Sequence, residues 1–128
     1  VLYLDTSAVV KLLIKENESL ALRAYLGNHD WASSALVRTE LVRALSRVDP
    51  SLVPRALDLL AQPNLLAIDT HVLDTAARLS PPSLRSLDAI HLASALQLRD
   101  ELTAFVAYDD RLLAAASALG MPVVSPAT

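Results

Sequence analysis

Fourteen acidic side chains are spread over 128 residues, and four of them, Asp5, Glu40, Asp88 and Asp109, fall where carboxylates can do chemistry together. Asp5 follows the apolar run VLYL, where a strand would end, and Asp109 follows TAFVA in the same way. Open α/β sheets place their ligand sites at the carboxyl ends of strands. Asp88 lies in RSLDAIHLASAL, in the first turn of a helical pattern behind a Ser86 N-cap. Glu40 lies in ALVRTELVRALSRV, about 60° off the apolar stripe of Val37, Leu41, Ala44 and Val48. Gathered at one edge, such carboxylates offer hard oxygen ligands to a divalent cation that keeps several waters and activates one of them.

Each acid also has an ordinary structural explanation. Asp5 or Thr6 can cap the helix that follows. Glu40 can snorkel to solvent, and the helix macrodipole alone favours an acid at Asp88 by about 0.3 to 1 kcal/mol. Either Asp109 or Asp110 can cap the last helix while the other faces a cleft. His91, one turn beyond Asp88, reads as a hydrogen-bonded packing residue beside Leu92 and Ala95. Arg85 and Arg111 adjoin Asp88 and Asp109 and are candidates to hold a phosphate or, equally, to pair with surface acids. Tyr108 is a candidate to stack a base.

The elements that must position these residues alternate. Residues 1–4, 31–34, 65–68, 103–107 and 122–124 are short apolar runs of strand length. Helical periodicity occupies 7–15, 19–26, 35–48, 51–61, 70–79, 87–99 and 111–119. Asn17, Gly27-Asn28, Pro50, Pro81-Pro82 and Gly120 punctuate the boundaries. This order predicts an α/β fold, one domain over residues 1–128, with a central, mostly parallel five-stranded sheet flanked by about seven helices.

Composition narrows the setting. The chain has no cysteine, which excludes disulfides, thiolate zinc sites and thiol nucleophiles, so a reducing compartment, the cytoplasm, is expected. Asp5 and Lys11 interrupt the apolar N-terminal stretch, which predicts no membrane span there. A formal charge of −3 argues against nucleic-acid binding, but without the four candidate acids the rest of the protein carries +1. Nine of the eleven basic residues are arginine, the side chain suited to bidentate phosphate contacts.

Four segments, LDTSAVVKL, SALVRTELVRAL, LRSLDAIHLASAL and VAYDDRLLAAASALGMPVVSP, resemble in that order the successive blocks of PIN-domain proteins, and among them the VapC-type toxins of bacterial toxin–antitoxin pairs. The resemblance covers nearly the whole chain. It implies a PIN-like fold and a Mg2+- or Mn2+-dependent endoribonuclease, with Asp5, Glu40, Asp88 and Asp109 as the catalytic and metal-binding acids and Ser7 supporting the first. It selects Asp109 over Asp110, because the family's Arg-Leu pair follows its acid after one intervening residue, as Arg111-Leu112 do here. It also implies an RNA substrate, a small antitoxin whose tail enters the acidic cleft, and a homodimer. Ala107 departs from the pattern: the family carries Thr or Ser there, and the loss of that hydroxyl is expected to reduce activity.

Two other readings remain. A PIN-like module that binds RNA or protein without cutting would follow from changes such as Ala107. An aspartate-based phosphatase or phosphoacceptor domain also places Asp at a strand end, but Asp5 is followed by Thr6 and Ser7 rather than a D-x-D pair.

Overall fold

The computed structural model describes residues 1–127. Five strands, β1 (Leu2–Leu4), β2 (Trp31–Ser34), β3 (Asn64–Leu66), β4 (Ala104–Val106) and β5 (Val123–Val124), form one sheet in the order β3-β2-β1-β4-β5. Every pairing is parallel. Seven α-helices accompany them: α1 (Thr6–Lys11), α2 (Ser19–Leu26), α3 (Val37–Val48), α4 (Val53–Leu59), α5 (Thr70–Ala77), α6 (Ser86–Leu96) and α7 (Asp110–Ala118). The expected sheet and helices are present, and "mostly parallel" becomes wholly parallel among the described residues. None of these helices is long and apolar enough to cross a membrane.

Side chains of a strand point alternately to its two faces, and β1 shows what that alternation builds. Leu2 and Leu4, with Val106 of β4, pack against Ala8 and Val9 of α1, Leu22 of α2 and Val37, Leu41 and Leu45 of α3. Tyr3 and Phe105 face the opposite way, toward Leu92 and Ala95 of α6 and Leu112 and Ala116 of α7. Their rings stack at 5.2 Å between centroids. The three central strands are therefore buried on both faces, which is why β1 and β4 read as apolar runs rather than as alternating patterns. Burying each of these large apolar side chains stabilises the fold by roughly 1.5 to 3 kcal/mol.

The strand order determines where a site can form. From β1 the chain builds outward through β2 to β3, then crosses back over α5 and α6 to add β4 on the other side of β1. The carboxyl ends of β1 and β4 therefore flank the point where the winding reverses, and helices leave them toward opposite faces, opening a crevice. Asp5 closes the ladder at that point, donating its N–H to Val106 O at 3.2 Å.

Several boundaries differ from expectation. The first helix ends at Lys11, not Lys15, because side chains of α2 take its last carbonyls: Ser19 Oγ donates to Lys11 O at 2.8 Å and Arg23 donates to Leu12 O. The segment expected as one helix over 51–61 splits into a 3-10 turn at Pro50–Leu52 and α4, with a proline in the first turn of each. Ser86 is not the N-cap of α6. Arg85 occupies that position without a side-chain cap, and Ser86 is the first helical residue. Helix α6 stops at Leu96, short of Arg99, which begins a separate 3-10 turn.

Candidate active site

Asp5 caps the helix that follows it and is held by two donors. As N-cap of α1 it accepts the Ala8 N–H at 3.1 Å, and it accepts the Ser7 hydroxyl at 2.7 Å, both on Oδ1. It is only 5% exposed. Burial pushes its carboxyl above the usual aspartate range, against the opposing pull of the Ser7 hydrogen bond. Ser7 does more than support Asp5: its Oγ also accepts the Tyr108 N–H at 3.2 Å, tying the loop after β4 to the end of β1.

Glu40 points inward to the sheet edge. Its Oε1 accepts the Thr6 hydroxyl at 2.5 Å and lies 2.7 Å from His91 Nε2. Burial, the largest single influence, raises its pKa, but the contacts with His91 and Thr6 together outweigh burial and hold the carboxylate below its ordinary value. Asp88, half-buried in the first turn of α6, is displaced upward, first by burial and then by the negative charge of Asp109. Arg85 opposes that shift, and Glu40 adds to it.

Asp109 is the N-cap of α7, its Oδ1 accepting the N–H groups of Arg111 at 2.9 Å and Leu112 at 3.0 Å. It also borders a cavity of about 430 Å³ that Asp88, Arg85 and Arg111 line, together with Leu84 and Ala115. Asp110 is the first residue of α7, exposed and outside that lining. Capping and facing the cleft, set as alternatives for this pair, both belong to Asp109. A larger cavity of about 630 Å³ opens at the opposite edge, beside Asp30, Trp31 and Asn64, and contains none of the candidate acids.

Arg85 and Arg111 are exposed, and among the described residues neither makes an ion pair. Their guanidinium groups are thus available at the mouth of the acidic cavity. Tyr108 is occupied: Lys11 Nζ sits 4.8 Å from its ring centroid and its hydroxyl donates to Pro126 O at 2.8 Å. That geometry does not favour base stacking. The residues that spacing missed are Thr6 and Tyr3. Thr6 fixes Glu40, and the Tyr3 hydroxyl lies 2.7 Å from His91 Nδ1.

Among the described residues, no three of the histidine, aspartate and glutamate side chains close into a preformed metal cage. The donor set nonetheless fits a hard cation. It consists of carboxylate oxygens, and two of the acids are electrostatically strained by burial or by a like charge. An open arrangement suits an ion that retains several waters better than one bound by protein alone.

The PIN domain family model matches residues 2–118. Ribonuclease VapC46 of Mycobacterium tuberculosis is 48% identical over 126 residues, which cover 98% of this chain and 97% of that one. Ribonuclease VapC47 of the same species is 44% identical over 131 residues, with 98% and 96% covered. Among solved structures, M. tuberculosis VapC20, described as a sarcin-ricin loop cleaving toxin, aligns with a TM-score of 0.73 at 17% identity, covering 98% of this chain and 100% of that one. A toxin-antitoxin complex from Klebsiella pneumoniae aligns with a TM-score of 0.72 at 21% identity, with 98% of each chain covered. At those identities the structural likeness speaks to the fold.

Proposed function

Since the chain belongs to the PIN domain family, we propose that it is a metal-dependent endoribonuclease, the toxin of a toxin–antitoxin pair, formed as one domain over residues 1–128. Two curated relatives that span nearly the whole chain are ribonucleases of the VapC type. The observation that carries the site is geometric: Asp88 of α6 and Asp109 after β4 line one cavity, where the charges of Asp109 and Glu40 of α3 both push the Asp88 carboxyl upward. Asp5 joins them through the Ser7 link between the ends of β1 and β4.

Asp5, Asp88 and Asp109, with Glu40 directly or through water, would hold Mg2+ or Mn2+. Neutralising the scissile phosphate and acidifying an attacking water are the chemistry a bound ion of this kind supplies. Glu40, kept ionised by its donors, would aid the nucleophile as an acceptor of the attacking water's proton. Arg85 and Arg111, which line the same cavity as Asp88 and Asp109, would hold the RNA backbone. The antitoxin would cover this edge. Leu20, Val48 and Leu57, exposed on α2, α3 and α4, supply apolar surface for a homodimer.

The test is cleavage of RNA by purified protein with magnesium, manganese or EDTA. Metal-dependent cutting that disappears in Asp5→Asn supports the reading. RNA bound but uncut under every condition would instead favour a non-cleaving module, the alternative that Ala107 motivates. That residue is fully buried among Tyr3, Phe105 and Leu112, and offers no hydroxyl.

A further inference from the structure

His91 is one of the few polar side chains buried in the protein, 2% exposed, and the chemistry above does not use it. It stands between two partners contributed by different elements. Nε2 is 2.7 Å from Glu40 Oε1, and Nδ1 is 2.7 Å from the hydroxyl of Tyr3, on the central strand. The direction of each bond follows from its neighbours. The Tyr3 oxygen already accepts the Ser34 N–H at 3.0 Å, which leaves its own proton to donate to Nδ1. The Thr6 proton is committed to the same Glu40 oxygen, and Thr6 Oγ1 lies 3.2 Å from Nε2. An unprotonated Nε2 would set a lone pair against the carboxylate at 2.7 Å, so the ring proton belongs on Nε2.

We propose that His91 is the positioning residue for Glu40: it donates from Nε2 to the carboxylate, accepts from Tyr3 at Nδ1, and so anchors Glu40 to the centre of the sheet. This rests on the reading of the edge as a nuclease centre. Glu40 rises from the shoulder of α3 on a flexible side chain, and Thr6 alone fixes one point of it. The second donor, rigid and buried, meets the same oxygen, Oε1, from another element and so holds it from a second direction. The hydrogen bonds that hold a ligand or base in place contribute about 10- to 100-fold when such outer partners are removed.

Two measurements test it, one of them independent of activity. In 15N-labelled wild-type protein, His91 is expected to show a pyrrole-like Nε2 and a pyridine-like Nδ1; a protonated Nδ1 overturns the assignment. In the RNA assay, His91→Leu is expected to lose kcat by about 10- to 100-fold with KM nearly unchanged. His91→Gln, whose amide can donate where Nε2 does, is expected to restore most of it. Tyr3→Phe removes only a hydroxyl, and is expected to lower kcat less than His91→Leu while mixing the two tautomers in the nitrogen spectrum. Wild-type kcat in both His91→Leu and Tyr3→Phe overturns the proposal. If His91→Leu fails to fold, the comparison of His91→Gln with His91→Asn decides: equal rates overturn it, and a higher rate for Gln supports it. A wild-type protein that cuts no RNA would refute the nuclease reading and leave the nitrogen spectrum to judge the tautomer.

Discussion

Ser7 donates its hydroxyl to Asp5 Oδ1 at 2.7 Å while accepting the backbone N–H of Tyr108, so one short side chain joins a buried acid to the neighbouring strand's loop. Burial raises the Asp5 carboxyl, and this hydrogen bond is the strongest influence opposing it. Ser7→Ala is therefore expected to raise that carboxyl further. The acid limb of the pH–rate profile should move to higher pH, with activity recovering as the pH is increased. A profile that falls uniformly at all pH values would mean that Ser7 acts through backbone placement alone.

Asp5→Asn separates the cost of this acid from its use. Because its pKa in the fold lies above the unfolded value, the carboxyl contributes stability below the ordinary aspartate range and loses it as the pH rises through the raised value. At neutral pH without metal, Asp5→Asn should melt at a higher temperature than wild type. Magnesium or manganese should then raise the Tm of wild type more than that of the variant. Equal shifts in a thermal melt would argue against Asp5 as a ligand.

The adjacent acids at the start of α7 should behave differently. Asp109→Asn keeps a competent N-cap but withdraws a charge from Asp88. As Asp109 is a proposed metal ligand, its loss is expected to cost on the order of 100-fold or more in cleavage rate. Asp110→Asn, outside the cavity lining, should leave the rate near wild type. Similar losses in the two variants would contradict the assignment.

Leu41 follows Glu40 on α3 and is fully buried against the sheet. Leu41→Ala is expected to destabilise the protein by about 2 to 5 kcal/mol, through lost burial and the cavity left behind. Urea denaturation measures it. A loss below about 1 kcal/mol would mean that α3 collapses onto the vacancy more readily than close packing allows.

How much of this was legible in the sequence depended on the range of the interactions. VLYL and TAFVA announced strands because both faces of a parallel sheet are covered, and the acids directly after them were visible as strand-end residues. The end of α1 was not legible: Ser19 and Arg23 stop that helix from a different element, while its own apolar pattern continues to Ile14. Likewise Glu40 and His91 are 51 residues apart and meet only because α3 and α6 approach the same edge from opposite faces. Local spacing identified His91 as a buried hydrogen-bonding residue. Its partner could not be read from spacing, because that pairing is a property of the topology.

Asp5 and Asp109, two of the proposed metal ligands, each hold the first turn of a helix with the same carboxyl group. A chain drifting toward inactivity through alanine at either position would forfeit a helix cap as well, typically about 1 kcal/mol, and would decay in abundance as well as in activity. Asparagine preserves the cap and discards the charge. For the toxin proposed above, the shortest evolutionary path to a harmless, still-folded decoy therefore runs through a single Asp-to-Asn exchange at one of these two helix starts.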